Sequence, residues 1–173
     1  MSPTQFRLHL FSLLLAVTFC GCAGYRLGPT NGDAAGEKTV EVRPFVNQTM
    51  EPRLGDEITG ALRRSLQHDG TYRLASHGNA DIIVTGTVTR YTRHELSLLP
   101  NDVLTAEDYR LNATVQVTAR DATTGRVIFD KPVGGYTLMR IGSDLTSSER
   151  QALPVLAEEI AKHATELLVD GSW

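Results

Sequence analysis

YRLNATVQVTAR, residues Tyr109 to Arg120, alternates without a fault: Tyr109, Leu111, Ala113, Val115, Val117 and Ala119 against Arg110, Asn112, Thr114, Gln116, Thr118 and Arg120. A period of two over that length is a β-strand with one face on a core and the other in water. DATTG, residues 121–125, follows as a hairpin turn with a glycine for the left-handed position. Val127 to Tyr136 is then the returning strand. Upstream, DIIVTGTVTRY (Asp81 to Tyr91) is rich in β-branched residues and supplies another strand. Thr39 to Phe45 (TVEVRPF) alternates again, and Pro44, which has no ladder donor, places it at an edge or a strand end.

Helical spacing appears twice. From Arg53, apolar residues fall at Leu54, Ile58, Ala61, Leu62 and Leu66, with Gly70 as the stop and a short strand expected around Tyr72 to Ala75. Near the C-terminus Leu153, Leu156, Ile160, Ala164 and Leu167 form a second stripe; Thr146 and Glu149 have capping-box spacing, and Pro154 is expected to kink or restart the helix. The simplest assembly is an α+β sandwich, two helices packed on one face of a mixed, about four-stranded sheet, with the Thr, Asn, Gln and Arg face uncovered. Thr92 to Asp108 (TRHELSLLPNDVLTAED) is long for a hairpin connection and carries Leu96, Leu98, Leu99, Val103 and Leu104. Two readings stay open: the flanking strands extend beyond the sheet and offer a partner-binding tip, or the loop folds over its own core.

The N-terminus is organised differently. Arg7 precedes LHLFSLLLAVTF (Leu8 to Phe19), an apolar run about half the ~20 residues a spanning helix needs, so residues 1–21 read as a secretory signal. In Phe19-Cys20-Gly21-Cys22 only Cys22 has a small residue before it, and the pattern resembles the bacterial lipobox, with Phe19 in place of the usual Leu. Cys22 is the expected lipid-attachment site, as an N-palmitoyl, S-diacylglycerol cysteine, and two or more acyl chains suffice for stable anchoring. Ala23 and Gly24, with no Asp, resemble lipoproteins sent to the outer membrane, the folded domain starting on the periplasmic side. Gly28 to Lys38 (GPTNGDAAGEK) reads as a flexible tether, so residues 22–38 are lipidated terminus and linker, 39–170 one domain, and 171–173 a short tail.

Composition then narrows the chemistry. Without the signal, 16 Lys and Arg stand against 20 Asp and Glu, a formal charge of −4 that does not indicate a generally basic nucleic-acid binder. With Cys20 removed and Cys22 lipidated, the domain has no thiol nucleophile, disulfide or cysteine metal ligand. His68, His77, His94 and His163 show no HExxH or i, i+4 ligand spacing, and phosphate-loop, GxSxG and GxGxxG patterns are missing. No catalytic group, metal or cofactor is expected. Glu149, Glu158 and Glu166 read as a solvated helix face, and Gly134-Gly135 as strand-end geometry.

In order along the chain, GCAGYRL (Gly21 to Leu27), VEVRPFVNQT (Val40 to Thr49), DIIVTGTV (Asp81 to Val88) and DYRLNATVQV (Asp108 to Val117) carry a resemblance to the LptE family of lipopolysaccharide-assembly lipoproteins over essentially the whole mature chain. It implies a non-enzymatic plug within the outer-membrane β-barrel LptD, assisting its assembly and lipopolysaccharide insertion at the cell surface. Lipopolysaccharide itself is a further implied ligand, with Arg93, Arg110, Lys131 and Arg140 as candidate contacts, since guanidinium pairs bidentately with phosphate. Arg110 and Arg120 should share the wet sheet face. Segments like PFVNQT also occur in lipoproteins that activate a peptidoglycan synthase, which is the alternative; an envelope hydrolase, resting on His94 or Glu158, is the third.

Overall fold

The computed structural model describes residues 36–75, 78–99, 102–142 and 144–170, with the backbone alone for 98, 99 and 102–106. Cys22, the signal, most of the tether, His77 and the 171–173 tail lie outside the described residues. In chain order the elements are β1 (Thr39–Val42), β2 (Val46–Asn47), α1 (Leu54–Asp69), β3 (Arg73–Leu74), β4 (Ile82–Leu99), β5 (Asp102–Asp121), β6 (Val127–Arg140) and α2 (Leu145–Val169).

The sheet runs β3-β1-β4-β5-β6, parallel on the β3-β1-β4 side and antiparallel beyond, while β2 pairs with β4 further along. The fold is the expected α+β sandwich of two helices on a mixed sheet, with more than four strands because β2 and β3 are two-residue pieces. Pro44 does end a strand, but β1 lies inside the sheet between β3 and β4. Its break lets Phe45 swing onto the core, where the ring occupies the space a side chain at Gly86 would need: a Cβ there would meet it at 2.3 Å. Thr59 of α1 then donates to the Gly55 carbonyl and accepts from the Phe45 N–H at 3.0 Å. Asn47 turns the chain into the helix, accepting from the Thr49 N–H and donating to the Glu51 carbonyl at 2.6 Å. The PFVNQT segment is thus a strand-to-helix joint.

On β5, Leu111, Val115 and Val117 are fully buried and their even-numbered neighbours, Arg110 excepted, are half-exposed up to Thr118, as alternation requires. Leu54, Ile58, Leu62 and Leu66 of α1 and Leu156 and Ile160 of α2 meet that apolar face, each burial contributing about 1.5–3 kcal/mol. Gly70 adopts the left-handed cap (φ 78°), its N–H closing on the Leu66 carbonyl. Tyr72 donates to the Leu168 carbonyl, and Thr165 to Ser65, joining the two helices.

Three details at α2 differ from the sequence reading. Asp144 is the N-cap, accepting from the Ser147 N–H at 2.8 Å, and Thr146 sits inside the first turn. Pro154 lies within one continuous helix, its missing N–H leaving a single gap in the ladder. Leu168, rather than Leu167, is the buried member of the last turn. Gly134-Gly135 is mid-strand, not a strand end: a Cβ on Gly135 would meet Ile160 Cγ1 at 2.7 Å, so the glycine admits α2 close to β6.

Candidate binding surfaces

The described residues between Thr92 and Asp108 are strand, not a folded-over loop. β4 and β5 continue in antiparallel register to Leu99↔Asp102, through bulges around Leu96 and Leu98. β6 stops at Arg140, opposite Asp108, and β2 leaves β4 at Val88. Past those points the hairpin is a two-stranded ribbon. Leu96 on it is 50% exposed. Leu98, Leu99, Val103 and Leu104 have strand backbone there, and their side chains lie outside the described residues.

The four basic candidates do not converge. Arg93 is paired with Leu111 on the helix-covered face and donates to Glu149 of α2 at 2.7 Å, so it is a tie between ribbon and helix. Lys131 sits opposite Val117, also on the helix side, 5.8 Å from the Phe129 ring. Arg110 and Arg140 are on the other, open face. Arg140 is held by Asp108 at 2.8 Å and Glu107 at 3.6 Å. Its guanidinium, followed by the Ser97 hydroxyl, holds the Asp108 carboxyl below the usual range. Arg110 stacks over the Tyr136 ring at 4.8 Å, and among the described residues no carboxylate pairs with it. Parity does place Arg110 and Arg120 on one face, at opposite ends of it.

The Tyr91-Arg93-Glu149 cluster had no legible signal in the sequence, since fifty-six residues separate Arg93 from its partner. Tyr91 donates a short hydrogen bond to the same carboxylate. Burial, then that bond, pushes the Tyr91 phenol far above its ordinary value, so it stays a donor. Glu149, expected as part of a solvated face, has a side chain only 13% exposed.

Two clefts flank the sheet. One of about 400 Å³ lies where β1 breaks, and Arg63 reaches into its wall to satisfy the Val42 carbonyl at 2.6 Å. The other, about 340 Å³, runs between β6 and the first turns of α2, bordered by Leu138, Met139, Ser148, Gln151 and Val155. Among the described residues no three His, Cys, Asp or Glu side chains are grouped to hold a metal ion. His163 is engaged by the Gly134 carbonyl (3.0 Å) and Glu159 (3.3 Å). Among the described residues no helix is long and apolar enough to cross a membrane.

A helix-backed sheet with an open polar face, a projecting ribbon and shallow clefts defines a small α+β sandwich domain. The chain belongs to the LptE family, lipopolysaccharide-assembly, whose pattern it matches over residues 37–170. The Gly21 to Leu27 segment that also suggested this family precedes that span. Among solved structures it is similar to protein XCC0632 from Xanthomonas campestris, of the DUF330 family (TM-score 0.57, 12% identity, 84% of this chain and 91% of that one). It is also similar to a hypothetical protein from Chlamydia trachomatis (TM-score 0.55, 12% identity, 80% and 97%). A minor lipoprotein from Acinetobacter baumannii shares the fold too (TM-score 0.50, 17% identity, 76% and 92%). No curated protein matches the chain.

Proposed function

We propose that the chain is a non-catalytic, lipid-anchored subunit of the outer-membrane lipopolysaccharide translocon, docking within the LptD β-barrel from the periplasmic side. The family match over residues 37–170 carries this reading. The open polar face and the ribbon support it, because a porin-type barrel lumen is polar and water-filled. Recovery of the tagged chain from detergent-solubilised envelopes should bring a large outer-membrane barrel with it. Recovery with an inner-membrane peptidoglycan synthase instead would favour the alternative, and recovery with neither would overturn the assignment.

The anchor is Cys22, read from its lipobox-like setting. Mass spectrometry of the mature chain should find an acylated N-terminal cysteine at that position, and Cys22→Ser should release the protein from membranes. An unmodified Cys22 in the membrane-bound protein would contradict it. For lipopolysaccharide we place the cationic contact at Arg110, whose guanidinium has an open-face position and no carboxylate partner among the described residues. Arg110→Ala should weaken a lipopolysaccharide titration more than Lys131→Ala, on the opposite face; equal losses or none would remove Arg110.

A further inference from the structure

β6 is the outer strand of the sheet, and only part of its edge is protected. Ile141 donates its N–H to the Glu107 carbonyl, so 107 and 141 form a hydrogen-bonded pair. Alternation along an antiparallel ladder then turns the N–H and C=O of the even-numbered β6 residues, from Pro132 to Arg140, away from β5. Pro132 has no N–H to offer a neighbour, and the Gly134 carbonyl is met by His163 of α2. Those are devices that blunt an exposed edge. At Tyr136 and Leu138 neither is present, and both side chains are exposed, 55% and 61%.

The flanks of this open length differ in chemistry. On the helix side the strand borders the 340 Å³ cleft, whose α2 wall (Ser148, Gln151, Val155) is uncharged, with Val155 53% exposed. On the other side Arg110 rests on Tyr136, bringing a cation beside the edge. An added strand sends alternate side chains to opposite faces. Its inward set would therefore meet the uncharged α2 wall of the cleft, which Arg140 borders at one end, and its outward set the Arg110 guanidinium. Self-pairing along the whole of β6 is opposed by Pro132.

We propose that the Tyr136–Arg140 edge takes an extended segment of another protein by strand addition, one that alternates apolar residues, seated in the cleft against α2, with acidic residues beside Arg110. This docking mode does not depend on which envelope assembly the chain joins, and its test needs no barrel.

The probe is a short capped peptide alternating valine and glutamate, titrated against the full chain purified in detergent, with a valine and lysine peptide as control. The valine-glutamate peptide should bind, weaken with added salt, and lose about tenfold in affinity in Leu138→Pro. Leu138 gives no hydrogen bond to β5, so that substitution removes none from the ladder. Val155→Lys, on the exposed flank of α2, should weaken the same peptide without touching the sheet, and keeps the test intact should Leu138→Pro unfold. Lipopolysaccharide titration should be unchanged in Val155→Lys. Equal binding of both peptides, no binding of the glutamate peptide, or indifference to both substitutions would overturn the proposal. Concentration-dependent self-association abolished by Val155→Lys would instead make a second copy the occupant and overturn the partner stated here.

Discussion

Gly86 and Gly135 both lack a side chain because another group occupies the space, yet the occupants differ in how far they can yield. At Gly86 the neighbour is the Phe45 ring, and at Gly135 it is Ile160 Cγ1 with the helix backbone N just behind at 3.3 Å. A helix backbone cannot move aside without dragging its neighbours, so Gly135→Ala should destabilise by about 1–3 kcal/mol through overpacking. Gly134→Ala, whose Cβ would find its nearest neighbour at an ordinary 3.7 Å, should not do so by this route. Urea unfolding midpoints of the two variants compare them directly. The same scale holds a pH effect. The Asp108 carboxyl is held low by Arg140 and Ser97, so its contribution is present above the ordinary carboxylate pKa near 4 and is lost as pH falls through the lower folded value. Asp108→Asn should therefore be less stable than the parent at pH 6, with the gap closing in strong acid. A gap that is constant with pH would mean that the charge is not what matters there.

At the scale of elements, α2 separates two kinds of information. Its apolar stripe was legible, because burial of one face leaves a period of 3.6 in any sequence. Its start was not, because Thr146-Glu149 and Asp144-Ser147 both have the three-residue spacing of a cap, and the tertiary pull of Tyr91 and Arg93 on Glu149 decides between them. Asp144→Ala should cost about 1 kcal/mol, while Thr146→Ala, at a position that is not the cap, should stay within about 0.5 kcal/mol. Thermal denaturation of the pair discriminates them, and the reverse order would restore the capping box. The β-strands show the same split. Alternation on β5 identified which side chains face the core, but the lengths of β4 and β6 could not be read. Pairing continues wherever a neighbour supplies hydrogen bonds, whether or not one face is apolar, and β4 past Val88 has a partner, β5, on one side alone.

For the whole molecule, the division of the basic residues is the part of the site that sequence could not resolve. Arg93 and Arg110 both interrupt otherwise β-rich runs; their opposite faces follow from the Arg93↔Leu111 and Arg110↔Leu138 registers, which depend on long-range pairing and the bulge after Val88. The ribbon, by contrast, was one of two readings left open by the excess apolar residues in a connection too long for a turn, and the continued β4-β5 pairing decides for it. It lies beyond the helix-backed core, so replacing residues 98–107 with an Asn-Gly turn between Ser97 and Asp108 should change folding stability by less than about 0.5 kcal/mol. Loss of barrel recovery from envelopes in that variant would assign the ribbon to docking, and full recovery would show it to be dispensable there.

Among the described residues, the Tyr91-Arg93-Glu149 tie is the farthest point along β4 from β1 at which a side chain hydrogen-bonds to a helix. β1 begins beside the start of β4, so the end of the domain nearest the tether and the ribbon tip are at opposite poles of a strand about 60 Å long. Between Arg93 and Leu99 the arm beyond the tie measures about 20 Å. A tilt of about 10° there carries the tip roughly 3–4 Å, close to one residue's rise along a strand.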